Sequence, residues 1–158
     1  MLAFVAAALA FCERSEMRIP TQEEFSSIPF DQTGEYVFHF RPSHSREMTL
    51  LLEVEASKEQ ADSRQLIRLQ TIIEVTLVDH DGRIVCQATG PPKEGVTPAN
   101  WVLRSGPNEA AFWHRNCSEI KLRRAESYTL TVRIRDVDPK TPRIGLKPAL
   151  ERSDDFGP

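Results

Sequence analysis

Four histidines, three cysteines and a scatter of carboxylates are the side chains of this 158-residue chain that could carry chemistry, and their spacing decides which reactions are open to them. His39, His44, His80 and His114 form no His-x-x-x-His pair, and no Cys-x-x-Cys is present, so no metal or other cofactor is expected. His80 stands between Asp79 and Asp81 beside Gly82, at the tip of a hairpin, where acidic side chains more often accept hydrogen bonds from the turn than ligate calcium. Acyl transfer requires a Ser or Cys activated by a base, and no Gly-x-Ser-x-Gly occurs. Glu53 and Glu55 share a strand face, as two carboxylates in glycoside hydrolysis do, but a solvated strand face has the same spacing. The chain is therefore expected not to be an enzyme, and no residue is assigned as catalytic. The alternative is a site assembled from distant residues, with His114, Asp79 and Asp81 brought together by the fold. Trp101, Trp113 and His114 are the candidate binding residues, and a coplanar exposed Trp101–Trp113 pair would suit a glycan.

Charge excludes one class of partner. The net charge is −3, and the bases Lys121, Arg123, Arg133 and Arg135 lack interleaved aromatic side chains on which bases could stack, so no nucleic acid is expected. Glu13 to Asp62 holds eleven acids against five bases, whereas Arg64 to Pro158 holds fifteen bases against twelve acids. Such segregation either polarises the folded surface or disperses over solvated loops and strand faces.

The cysteines bear on compartment. Met1 to Phe11 is an uncharged apolar run, about the length of a secretory core and short of the roughly 20 residues of a membrane-spanning helix. Leu9-Ala10-Phe11-Cys12 resembles a bacterial lipobox, in which the Cys is acylated and becomes the first mature residue; Phe11 stands where a small residue is usual. Lipid on Cys12 would leave Cys86 and Cys117 as a pair in an oxidising compartment.

The elements that must position these residues read as strands. Tyr36, Phe38 and Phe40 alternate with Val37 and His39; Leu50, Leu52 and Val54 alternate with Thr49, Leu51 and Glu53; Ile73, Val75 and Leu77 alternate with Glu74 and Thr76. Asp81-Gly82 turns the last of these into a return strand carrying Ile84, Cys86 and Ala88. The Gly90–Trp101 stretch, rich in Pro and Gly, is an exposed connection; beyond it, either Trp101 and Trp113 cap the core or Asn108 starts a short helix through Trp113. Tyr128, Leu130, Val132 and Ile134 alternate without exception against Thr129, Thr131, Arg133 and Arg135. A closing strand over Ile144 to Leu150 contains Pro148 and is expected at an edge.

Around Glu119 to Asp136 the sequence resembles the strand E to strand F corner of immunoglobulin-like and fibronectin type III-like sandwiches, in which a Tyr hydroxyl bonds back to the backbone; Arg124 to Ser127 stand where Gly or Pro is usual. The expected fold is an all-β, two-sheet antiparallel immunoglobulin-like sandwich of six to eight strands. The expected divisions are a signal or lipobox segment over 1–12, a polar lead-in over 13–33, the sandwich over 34–150 and a tail over 151–158. In layout the chain resembles small envelope lipoproteins of proteobacteria. That likeness implies a periplasmic, lipid-anchored module that binds another protein, such as a toxin to be neutralised or an envelope component. The first surface expected to matter is the Gly90–Trp101 connection, with Trp101 as its anchor.

Overall fold

The computed structural model describes residues 22–56, 62–105 and 110–153; Cys12 and the 1–12 segment lie outside them. The period-2 alternation read from the sequence becomes two packed sheets. One is four-stranded and antiparallel, in the order β3 (Gly34–Phe40), β11 (Tyr128–Arg135), β5 (Ile72–Val78) and β6 (Ile84–Gly90). The other runs β1 (Gln22–Glu24), β12 (Gly145–Arg152), β4 (Arg46–Glu55), β9 (Ala110–Trp113), β8 (Trp101–Ser105) and β7 (Pro92–Lys93). In addition, β10 (Ile120–Leu122) pairs with β4 and β2 (Ile28–Pro29) with β12. Only the β7–β8 contact is parallel among the pairings of the described residues. The architecture is the expected all-β sandwich, with one α-helical turn among the described residues, α1 (Ser63–Leu66), capped by Asp62.

Between the sheets, Tyr128, Leu130, Val132 and Ile134 of β11 meet Leu50 and Leu52 of β4, Leu146 and Leu150 of β12 and Phe112 of β9, all buried in one core. Removing each such side chain from water contributes about 1.5–3 kcal/mol, which offsets the ordering of the chain. The opposite parity of β11, Thr129 to Arg135, is half-buried or exposed. Gly82, with φ of 77°, closes the β5–β6 turn, a conformation that costs a glycine nothing.

The corner forms as expected. The Tyr128 hydroxyl accepts from the Arg123 backbone N–H at 2.9 Å and donates to the Glu126 carboxylate at 3.1 Å. Ala125, with φ of 64°, takes the left-handed position, and its N–H donates to the Pro42 carbonyl at 3.4 Å. Tyr128→Phe is expected to lower stability by about 1–2 kcal/mol, because it strands the Arg123 donor. A urea midpoint that falls with an unchanged slope would bear this out, and an unmoved midpoint would remove the corner's energetic role.

Several placements differ from expectation. Past the corner, the immunoglobulin order pairs strands F and G in one sheet; here β12 crosses to the other sheet and β3 takes the place beside β11. The sandwich extends from Gln22 to Arg152 and is not confined to 34–150, since β1 and β2 pair with β12 and Ile28 and Phe30 are core residues. The run Phe25–Phe30 reads as a short strand, which β2 realises, whereas three-residue β1 is too short to display a period. Consequently β12 is flanked on both sides. Pro148 is tolerated because its carbonyl accepts from Phe25 N–H at 3.3 Å, placing its ring nitrogen on the same strand edge, in the interval where β1 has ended and β2 has not begun. No helix runs through Trp113, since Ala110–Trp113 is β9, paired with both β4 and β8; Asn108 itself lies outside the described residues.

Candidate functional site

Trp101 starts β8 and points into the core with 0% exposure. Its indole N–H crosses the sandwich to donate to the Ile73 carbonyl of β5 at 3.0 Å. Trp113 is half-buried and lies opposite Val102 in the β8–β9 register, so it faces the other side of the sheet from Trp101. The two rings therefore form no coplanar exposed pair, and Trp101 is no surface anchor. Alternation along one strand reports that a side chain has a face; which face is dry depends on the sheet laid over it.

His114 follows β9, and its ring is 0% exposed. Nδ1 accepts from the Asn116 backbone N–H at 3.1 Å, capping the 3-10 turn Arg115–Cys117, so the proton of the neutral ring sits on Nε2. The ring packs edge-on against Trp101 at a centroid distance of 5.2 Å, and among the described residues Nε2 has no hydrogen-bond partner and no carboxylate is bonded to the ring. Asp79 and Asp81 lie instead at the exposed β5–β6 tip, so the assembly of His114 with these acids is not formed.

Burial pushes the His114 pKa below its ordinary value. The folded protein then binds fewer protons than the unfolded chain as pH falls through about 6.5, and stability declines on the acid side. His114→Asn, which keeps an acceptor for Asn116, is expected to flatten the stability profile between pH 7.5 and 5.5 by up to about 1.4 kcal/mol per pH unit. Parallel profiles for the two proteins in chemical denaturation would show that His114 is not the group responsible.

The hairpin tip brings one potential ligand atom each from Asp79, His80 and Asp81 within 4.8 Å. The Asp79 carboxylate, however, accepts from the backbone N–H groups of Asp81 and Arg83, both at 2.9 Å. The Arg83 N–H is the leading cause holding its pKa below the ordinary carboxylate value. His80 Nε2 lies 3.3 Å from Asp81 and Nδ1 4.0 Å from Glu126. These groups tie the turn to the tyrosine corner, and the exposed cluster is used structurally. Likewise, a cleft of about 440 Å³ beside α1 contains Arg64, Arg68 and Lys140. Its carboxylates are engaged by backbone donors: Asp62 accepts from Arg64, and Asp138 from Gln70 and Lys140.

No family model, curated protein or solved structure matches the chain. The remaining sequence candidates are placed as follows. Cys86 of β6 and Cys117 of the 3-10 turn form the disulfide, with Cα atoms 5.3 Å apart. The four bases do not make a stripe: Lys121 lies on β10, with Arg123 just past its end, while Arg133 and Arg135 lie on β11 in the other sheet and pair with Glu35 and Glu74.

What sequence reasoning missed is how the Gly90–Trp101 connection is held. Lys93 to Ala99 are all exposed, with Val96 at 52%. Beneath them Asn100 is 3% exposed. Its side-chain N–H donates to the Gly95 carbonyl at 3.0 Å, its carbonyl accepts from the Thr97 hydroxyl, and that hydroxyl accepts from Ala99 N–H at 3.2 Å. Gly90, with φ of 148°, lets the loop return so closely that a Cβ there would stand 2.1 Å from the Ala99 carbonyl oxygen. A lone Asn before a Trp carries no recognisable pattern, since its role depends on a loop folding over it.

Proposed function

We propose that this protein is a non-catalytic binding module of the periplasm, tethered by lipid on Cys12, whose Lys93–Ala99 loop contacts another protein. The observation that supports this most is the seven-residue exposed loop braced from below by buried Asn100. Pro98 within the loop and Pro92 at its base further restrict it, so little ordering entropy is lost on docking. Val96 takes over the anchoring role first assigned to Trp101. Export is supported by the Cys86–Cys117 bridge and by the apolar Met1–Phe11 run. The partner classes that suit this layout are a toxin acting in the same compartment or a component of envelope assembly.

Affinity capture of the full chain from its own envelope fraction tests the reading. One stoichiometric protein is expected with the natural sequence, and Val96→Glu is expected to reduce its recovery at least tenfold. Recovery of no partner overturns the binding role; equal recovery with Val96→Glu moves the contact away from the loop. Cys12→Ala is expected to release the protein from membranes, and unchanged fractionation would refute the anchor.

A further inference from the structure

We propose that β3 is a self-association edge: two copies of this chain pair antiparallel through Gly34–Phe40 about a two-fold axis centred on Val37, joining their four-stranded sheets into one of eight strands. β3 bonds to β11 on one side, and no described strand pairs with its other side. Long edges in native sheets are ordinarily blunted by Pro, Lys, a bulge or shortness, because open N–H and C=O groups invite another strand. Such devices mark the other edges: the register shift opposite Leu77 and Val78 leaves Val85 of the β6 edge as an extra residue, Pro92 lies in two-residue β7, and β1 is three residues long. β3 has seven residues, no Pro, no Lys and an unbroken register with β11. Its outward Val37 is 48% exposed. On the inner side Tyr36, Phe38 and Phe40 are only half-buried, although packed on the core, and Phe25 lies over the last two at centroid distances of 5.3 and 5.1 Å.

The choice of occupant rests on the strand's own order. Read backwards from its centre, the strand is complementary to itself. A two-fold pairing sets Glu35 opposite His39 of the second copy, Val37 opposite Val37, Tyr36 opposite Phe38, and Gly34 opposite Phe40, an arrangement in which an aromatic ring covers an edge glycine. Every pair keeps the inner face with the inner face, so the two cores lie on the same side of the joined sheet. Sliding by two residues in either direction leaves two positions of each strand unpaired and sets Glu35 or His39 against Val37. On the outer face, the row Glu74–Arg133–Glu35 would continue into His39 and Thr129 of the second copy. Strand pairing alone buries less than the roughly 1,200 Å² of a standard interface, so the association is expected to be weak and reversible. The surface is separate from the Lys93–Ala99 loop.

Cysteine cross-linking in the full chain carrying Cys12→Ser, purified and assayed in solution without reductant, tests the pairing. Val37→Cys is expected to give at least tenfold more covalent dimer than Val96→Cys, a comparably exposed control. Glu35→Cys mixed with His39→Cys is expected to cross-link, and each alone to do so at least tenfold less. Val37→Pro, with an unchanged thermal midpoint, is expected to weaken self-association of the cysteine-free edge at least tenfold in sedimentation. Equal dimer from Val37→Cys and Val96→Cys overturns the proposal, as does an adduct of any mass other than twice the chain, which would assign the edge to a different protein.

Discussion

Trp101→Ala is expected to destabilise the domain by about 3–5 kcal/mol, the range for truncating a buried aromatic side chain. The indole is 0% exposed, stands on β8 of one sheet and donates to Ile73 of the other, so its loss opens a cavity and removes a hydrogen bond between the sheets together. It also removes the surface against which the buried His114 ring packs. Trp101→Phe separates the two contributions: it keeps most of the apolar volume and loses the hydrogen bond, at an expected cost of about 1–3 kcal/mol. Equilibrium urea unfolding with a constant slope measures both, and a Trp101→Ala cost near that of Trp101→Phe would refute the assigned packing role. Because Asn100 and the braced loop precede Trp101 directly, Trp101→Ala should also impair capture of a partner, whereas Val96→Glu should do so without loss of stability.

Replacing both Cys86 and Cys117 with Ala is expected to cost about 3–4 kcal/mol in the chain-entropy account of a disulfide. The bridge closes a separation of 31 residues. It joins β6 of the four-stranded sheet to the 3-10 turn that carries the chain from β9 to β10 in the other sheet, so it constrains the two layers relative to one another. Beside it, the Asn116 side chain donates to the Gln87 carbonyl at 3.3 Å, a contact that remains after reduction and is too weak to substitute for the bond. Thermal melts with and without dithiothreitol provide the measurement. A midpoint unchanged by reduction would show that packing alone holds the layers. In the oxidising compartment proposed for the protein this dependence is harmless, and it makes the chain a poor folder where thiols stay reduced.

The parts of the fold legible in the sequence are those in which one residue's neighbours decide its conformation. β11 was readable because eight residues alternate without exception, and β5–β6 because Asp81-Gly82 has the geometry a tight turn demands. The tyrosine corner was legible as a resemblance, from Tyr128 at the head of an alternating strand six residues after Leu122, and its hydroxyl reaches only five residues back, to Arg123. β4 shows where that reasoning stops. Thr49 and Leu51 share a parity that the alternation assigns to the face away from the core, yet both are buried, as is Ala149, which pairs with Leu51 from β12. Nothing along β4 announces that its second face is covered.

The candidate residues divide the same way. That Cys86 and Cys117 could pair was legible from the odd cysteine count, a property of the whole composition, with two separately buried thiols as the alternative that their 5.3 Å Cα separation removes. Whether Trp101 caps the core or anchors the surface, and where His114 lies, was not legible, because the hydrogen bond to Ile73 spans 28 residues and the burial of His114 depends on that indole. By itself, then, the sequence determined the strand periodicity, the sharp turns and the chance of one disulfide, each a local or compositional matter. Only the tertiary structure decided which faces are dry, which strand is left as an open edge and which loop is braced, because those depend on surfaces brought together from distant parts of the chain.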